Sequence, residues 1–138
     1  MKKLLLSALT AATVMGVGGT AVAATTCTTK YLTGVWAASG PLESDAICVV
    51  QFKTNGWITQ SSCFDRKTLK PVGSMTGRFT STKSCDVTGD FDFATKSGKK
   101  KMTIKFKGKF DPKAGVLRGE IKSKGTPAYE YSFIQQWN

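Results

Sequence analysis

From about residue 32 onward the chain alternates apolar and polar positions with period two, as strands with one buried face do. Such runs lie at about 32–39, 46–53, 57–64, 72–81, 85–95, 100–110, 116–123 and 128–137. No stretch repeats its apolar residues convincingly at helical spacing. The sixth run is the plainest. Met102, Ile104, Phe106, Gly108 and Phe110 share one face, and Thr103, Lys105, Lys107 and Lys109 share the other. Turn chemistry separates the runs at Asn55-Gly56, Ser97-Gly98 and Asp111-Pro112-Lys113-Ala114-Gly115. Asn-Gly between alternating segments is a strong hairpin signal. Short strands in meander order leave two unpaired edges unless the sheet closes. The pattern therefore predicts an all-β fold, an eight-stranded antiparallel up-and-down β-barrel. A two-sheet sandwich is the alternative.

The hairpin turns also predict registers. With Asn55-Gly56 at the turn, Cys48 faces Cys63 on the neighbouring strand. Cys27 and Cys85 precede the first and fifth strands, and odd-numbered strands of a meander start at the same end. The expected bridges are Cys48–Cys63 and Cys27–Cys85, because the other pairings would link opposite ends. With Ser97-Gly98 at the next turn, Asp90 opposes Lys105 and Asp86 opposes Lys109. On the other side of that strand, Lys107 meets Glu120, Lys105 meets Lys122 and Lys109 meets Arg118.

The first residues do not share the pattern. Lys2 and Lys3 precede an apolar stretch, and Ala21-Val22-Ala23 is a small-residue cleavage pattern. Residues 1–23 read as a secretory signal peptide, 24–31 as an N-terminal leader and 32–138 as the barrel domain. The apolar stretch is too short to span a bilayer, so no transmembrane segment is expected after cleavage. A periplasmic or secreted destination follows. That compartment is oxidising and suits two disulfides, and no C-x-x-C pair points to thiol redox or zinc chemistry.

Charge changes the picture next. The whole sequence carries +11; removing 23 residues and two lysines leaves 115 residues and +9. Residues 96–124 hold 11 basic and 2 acidic side chains, so the whole excess lies there. Cross-strand pairing with aspartates makes a solvated face one reading. Docking on an acidic protein or an anionic envelope component through Lys105, Lys107, Lys109 and Lys122 is the other. Nucleic acid is a poor fit, because exposed aromatics do not interleave the lysines.

Catalysis has little to work with. The chain has no histidine, which removes Ser-His-Asp and Cys-His triads and every histidine metal ligand. No nucleophile–base pair stands out, and a non-enzymatic protein without catalytic, cofactor-binding or metal-binding residues is expected. The aromatic residues Trp36, Phe52, Phe79, Phe91, Phe93, Phe106, Phe110, Tyr129, Tyr131, Phe133 and Trp137 mostly share the inward phase. A barrel of eight strands is either just filled by side chains or holds one small ligand. A packed core is one expectation. A lumen for a small apolar ligand, with Ser74, Thr76, Arg78, Thr59 and Ser61 as its polar lining, is the alternative.

Leu32-Thr33-Gly34-Val35-Trp36 places a G-x-W signature, Gly34 and Trp36, on the first strand. It resembles the calycin barrels, among them lipocalins and avidins, whose tryptophan plugs one end. A longer pattern follows: Leu32-Thr33-Gly34-x-Trp36-x-x-Ser39-Gly40, Cys48-x-Val50-x-Phe52, Trp57 and Cys63-Phe64. This N-terminal half resembles the bacterial Inh family of metalloprotease inhibitors. The resemblance implies a small secreted barrel that inserts its free N-terminal segment, here Ala24, Thr25 and Thr26, into a protease cleft. A bridge at Cys27 would shorten that arm. The expected function is binding and inhibition of a hydrolase such as a protease. A lipocalin- or avidin-like carrier and a basic protein docked on the envelope are the alternatives.

Overall fold

The computed structural model describes residues 26–40 and 46–137. The expected signal peptide, Ala24, Thr25 and the acidic residues Glu43 and Asp45 lie outside them. A short 3₁₀ turn, Thr29–Leu32, precedes eight strands. These are β1 (Gly34–Ser39), β2 (Ala46–Phe52), β3 (Ile58–Asp65), β4 (Pro71–Ser81), β5 (Asp86–Thr95), β6 (Lys101–Asp111), β7 (Val116–Ser123) and β8 (Tyr129–Trp137). They form one closed antiparallel barrel in sequence order, with β8 returning to β1. The sandwich alternative is thereby excluded. Leu32, expected to open the first strand, instead ends the 3₁₀ turn and is fully buried.

The expected registers hold. Cys48 faces Cys63, Asp86 faces Lys109 and Asp90 faces Lys105. Lys105 faces Lys122, Lys107 faces Glu120 and Lys109 faces Arg118. Cys27–Cys85 and Cys48–Cys63 are the two disulfides. The turns work as their residues demand. Gly98 takes a φ of 69° and donates its N–H to the Thr95 carbonyl at 2.8 Å. The Asp111 carboxylate accepts from the N–H groups of Lys113 and Ala114.

Alternation sends one set of side chains to the interior, which is solid. Phe79 is the hub, its ring centroid 5.1 Å from Phe52, 5.7 Å from Phe91, 5.3 Å from Phe106 and 5.2 Å from Phe133. Room for so many rings comes from glycines on neighbouring strands. Gly89 pairs with Phe79 on one side and Phe106 on the other, and a Cβ built on it would stand 1.6 Å from a Phe79 ring carbon. Gly77 likewise lies opposite Phe91. Large and small residues thus alternate across the lumen as a tapered barrel requires.

Candidate functional site

The barrel has two rims. The lower one carries the β2–β3, β4–β5 and β6–β7 connections and the start of β1; the upper one carries the other connections. Trp36 closes the lower end. Its indole Nε1 donates to the Leu32 carbonyl at 2.8 Å, and its ring packs edge-on against Phe110 at 5.7 Å. Gly34 holds a φ of 122°, a conformation that side chains disfavour, where the 3₁₀ turn enters β1. The G-x-W residues therefore plug one end, as the calycin resemblance implies. Beside them the Cys27–Cys85 bridge and a Cys27 N–H to Lys83 carbonyl bond of 3.0 Å fasten the leader to the β4–β5 turn. Of the three arm residues, Thr26 is exposed next to this tether, while Ala24 and Thr25 lie outside the described residues.

Among the described residues Phe52, Phe79, Phe91, Phe106 and Phe133 are buried and pack together across the lumen, where a carried ligand would lie. The expected polar lining is displaced with it. Met75 and Phe79 point inward and are fully buried, so alternation turns Ser74, Thr76 and Arg78 outward. Arg78 instead donates its Nε–H to the Asn55 carbonyl at 3.0 Å and lies over the Trp57 ring at 5.9 Å. Thr59 falls at a β-bulge, where the β2–β3 register shifts between Gln51 and Phe52. Nine of the expected inward aromatics are buried. Tyr129 is not. It starts β8 at the upper rim, past the end of the packed interior, and is 41 % exposed. The side chain of Trp137 lies outside the described residues.

Tyr131 closes the interior near Gly40, where a Cβ would stand 1.8 Å from the ring. Its hydroxyl is buried with no hydrogen-bond partner among the described residues, and burial pushes the phenol far above its ordinary range.

The outer wall divides into two halves. On β5 to β7 the lysines pair with the aspartate column of β5. Lys109 Nζ reaches Asp86 at 3.0 Å, Lys101 Nζ reaches Asp92 at 3.2 Å, and Lys105 Nζ stands 3.9 Å from Asp90. The hydroxyl of Thr103 also donates to Asp92 at 2.7 Å, and together with Lys101 it holds that carboxyl below its ordinary value. Lys107 and Lys122 are exposed on the same wall. All four lysines named from the sequence thus stand together there, two of them against aspartates.

The wall of β1 to β4 is different. β3 and β4 are laddered at Cys63–Gly73 and Phe64–Pro71, and the chain pairs with β4 again at the Trp57–Arg78 bridge just before β3, where the Phe79 N–H also donates to the Gly56 carbonyl at 2.9 Å. Below Cys63 the Ser61 hydroxyl takes the place of a strand contact, donating to the Met75 carbonyl and accepting from the Met75 N–H, both at 2.6 Å. A groove of about 540 Å³ lies along this seam. Val35, Val49, Gln51, Gln60, Ser62 and Thr76 are among its walls, Val50 and Met75 belong to its floor, and every residue lining it is uncharged. Sequence reading missed this seam. Its one signal is the run Thr59-Gln60-Ser61-Ser62, polar on both faces and so without a clear inward phase.

Among the described residues no helix is long and apolar enough to cross a membrane. No family model, curated protein or solved structure matches this chain.

Proposed function

We propose that this is a secreted, non-enzymatic barrel that recognises another protein with its outer wall and inhibits a hydrolase such as a protease. The observation that favours it is the open seam. A solid interior leaves no place for a carried ligand, so recognition falls to the surface. The groove there is uncharged and partly apolar, and it borders strand edges that the β3–β4 ladder does not use. An extended segment of the partner lies along such an edge by main-chain hydrogen bonds, with its alternate side chains in the groove. The Cys27 tether leaves few residues for an arm, so the wall, rather than Ala24–Thr26, is the main contact. A periplasmic or extracellular setting accompanies this reading and suits the two disulfides.

The test is a titration of the oxidised chain from Ala24 against a panel of secreted proteases, zinc enzymes included. Stoichiometric slowing of one of them is expected. Gln60→Lys with Thr76→Lys, both on exposed groove positions, abolishes it without moving the melting temperature, whereas deleting Ala24–Thr26 leaves most of it. No inhibition at equimolar ratio refutes the hydrolase reading. Loss on arm deletion, with the groove pair still active, refutes the wall as the contact.

A further inference from the structure

Counted along the chain, the positive excess belongs to residues 96–124; the fold redistributes it. On the outer wall of β5 to β7, Lys101, Lys105, Lys107, Lys109, Arg118 and Lys122 stand among Asp86, Asp90, Asp92 and Glu120, and three ion pairs form. Little net charge is left on that wall. The connections differ. Strands alternate direction, so the β3–β4, β5–β6 and β7–β8 connections all emerge at the upper rim. These three bring together Arg66, Lys67, Lys70, Lys96, Lys99, Lys100 and Lys124, all exposed, and contain no acid; the fourth upper connection, between β1 and β2, holds Glu43 and Asp45, which lie outside the described residues. The three lower connections hold only Lys53, Lys83 and Lys113. Glu130 follows Tyr129 at the start of β8 and is exposed, whereas Asp65, at the end of β3, is already engaged. Its carboxylate accepts from the N–H groups of Lys67 and Thr68 and from the Thr68 hydroxyl.

At the centre of the first basic connection sits Leu69. It is 73 % exposed, more than any other large apolar residue described, and holds a φ of 56°. A leucine in the left-handed region is disfavoured where glycine or asparagine would fit. Its exposed side chain gains nothing from packing either. The tip is firmly held, with the Leu69 N–H on the Asp65 carbonyl at 2.8 Å and the Asp65 N–H on the Lys70 carbonyl at 2.9 Å. A residue that costs stability twice, displayed on a firmly held tip between Thr68 and Lys70, points to a use outside the fold. Tyr129, half-exposed on the same rim, is of the amphipathic type that settles at lipid headgroups.

We infer that the upper rim docks on an anionic phospholipid bilayer, with Leu69 entering the boundary between headgroups and acyl chains and the basic connections lying against lipid phosphates. Strands about 4.8 Å apart set successive upper connections about 10 Å from one another, so three tips can meet one plane. An anionic polymer would account for the lysines but not for a displayed leucine; a bilayer uses both. The docking is independent of the seam on the β1–β4 wall. It would hold the barrel at a membrane surface with that wall free.

The experiment is co-sedimentation of the oxidised chain from Ala24 with vesicles of phosphatidylcholine alone or with about a third phosphatidylglycerol. Binding to the anionic vesicles alone is expected, and raising salt from about 0.05 M to about 0.5 M removes most of it. Leu69→Asn suits the left-handed backbone and so keeps the fold; it lowers the partition coefficient about tenfold. Each of Lys70→Gln and Lys99→Gln lowers it about fivefold. Lys105→Gln with Lys107→Gln, on the wall where lysines stand among acids, changes it less than twofold. The inference is overturned by equal or absent binding to both vesicle types, by a wall pair as harmful as the rim lysines, or by an unchanged partition with Leu69→Asn. Retention of Leu69→Asn on a soluble polyanion at wild-type strength, without vesicle binding by the parent chain, would assign the rim to polymers instead.

Discussion

The packing of Phe79 on Gly89 is the sharpest test of a filled lumen. Phe79 is fully buried within four other rings, and a methyl on Gly89 would overlap its ring at 1.6 Å and 1.8 Å. Phe79→Ala removes an aromatic side chain from a rigid interior, at a cost of about 4 kcal/mol including its edge contacts. Gly89→Ala gains a few tenths of a kcal/mol from lower chain entropy in the unfolded state. It nevertheless destabilises by about 3 kcal/mol, because the enclosed ring cannot retreat the 2 Å or so needed. In the double variant the methyl enters space the ring has left. Its total cost is then about that of Phe79→Ala alone, near 4 kcal/mol rather than 7, a coupling of about 3 kcal/mol. Urea unfolding followed by tryptophan fluorescence measures all four corners, with Phe79→Leu as a milder substitute if a single variant is too unstable. Benzene should raise the melting temperature of Phe79→Ala and leave the parent unmoved, since only the variant has a dry cavity. Additivity within about 0.5 kcal/mol, or benzene binding by the parent, would refute the filled-lumen geometry.

Two further predictions concern stability. Replacing the Cys27–Cys85 bridge, 58 residues apart, by a pair of alanines should cost about 4 kcal/mol, and the Cys48–Cys63 bridge, 15 apart, about 3 kcal/mol by loop closure alone; equal midpoint shifts in urea, or a larger one for the shorter loop, would contradict that ordering. The Asp92 carboxyl, held below its ordinary value of 3.8 by the Thr103 hydroxyl and Lys101, adds stability that is present above that value and is lost as pH falls through the lower folded value. Asp92→Asn should therefore flatten part of the acid limb of a melting profile below about pH 4 and leave the neutral plateau's slope unchanged; an identical acid limb would remove Asp92 from it.

Much of the barrel is legible in the chain because phenylalanine and lysine alternate so strictly. On β6 the residues Ile104, Phe106 and Phe110 can face only inward, and one turn then aligns Asp86 and Asp90 with Lys109 and Lys105. The cysteine pairing followed from the same arithmetic. On β4 the expected polar lining of Ser74, Thr76 and Arg78 runs against the phase of Met75 and Phe79, which are the residues buried. Apolar burial outweighs it, since each large side chain buried contributes about 1.5–3 kcal/mol. The seam was hidden for a different reason. Thr59 to Ser62 are polar on both faces, so no burial preference specifies their register, and a bulge is free to form. The basic residues of the upper rim are far apart along the chain. Arg66, Lys67 and Lys70 stand some 30 residues before Lys96, Lys99 and Lys100, yet hairpin direction puts both groups at one end.

The place of the Cys48–Cys63 bridge bears on why the seam can stay open. Closed barrels gain from having no free edge, and an interrupted ladder is where a sheet begins to peel. Cys63 is bonded to β2 and is also the residue at which pairing with β4 stops, opposite Gly73. The covalent link fixes β3 to β2 at that residue, so strain on the seam cannot travel down β3 by separating it from β2. Ser61 then ties β3 to Met75 two residues further on, through two hydrogen bonds that cross the gap. Between them, one covalent and one polar clamp leave a short length of edge exposed while the aromatic interior behind it stays buried. An edge held in this way is rigid before any partner arrives, and a rigid edge loses less conformational entropy on binding an extended segment than one that must first order itself.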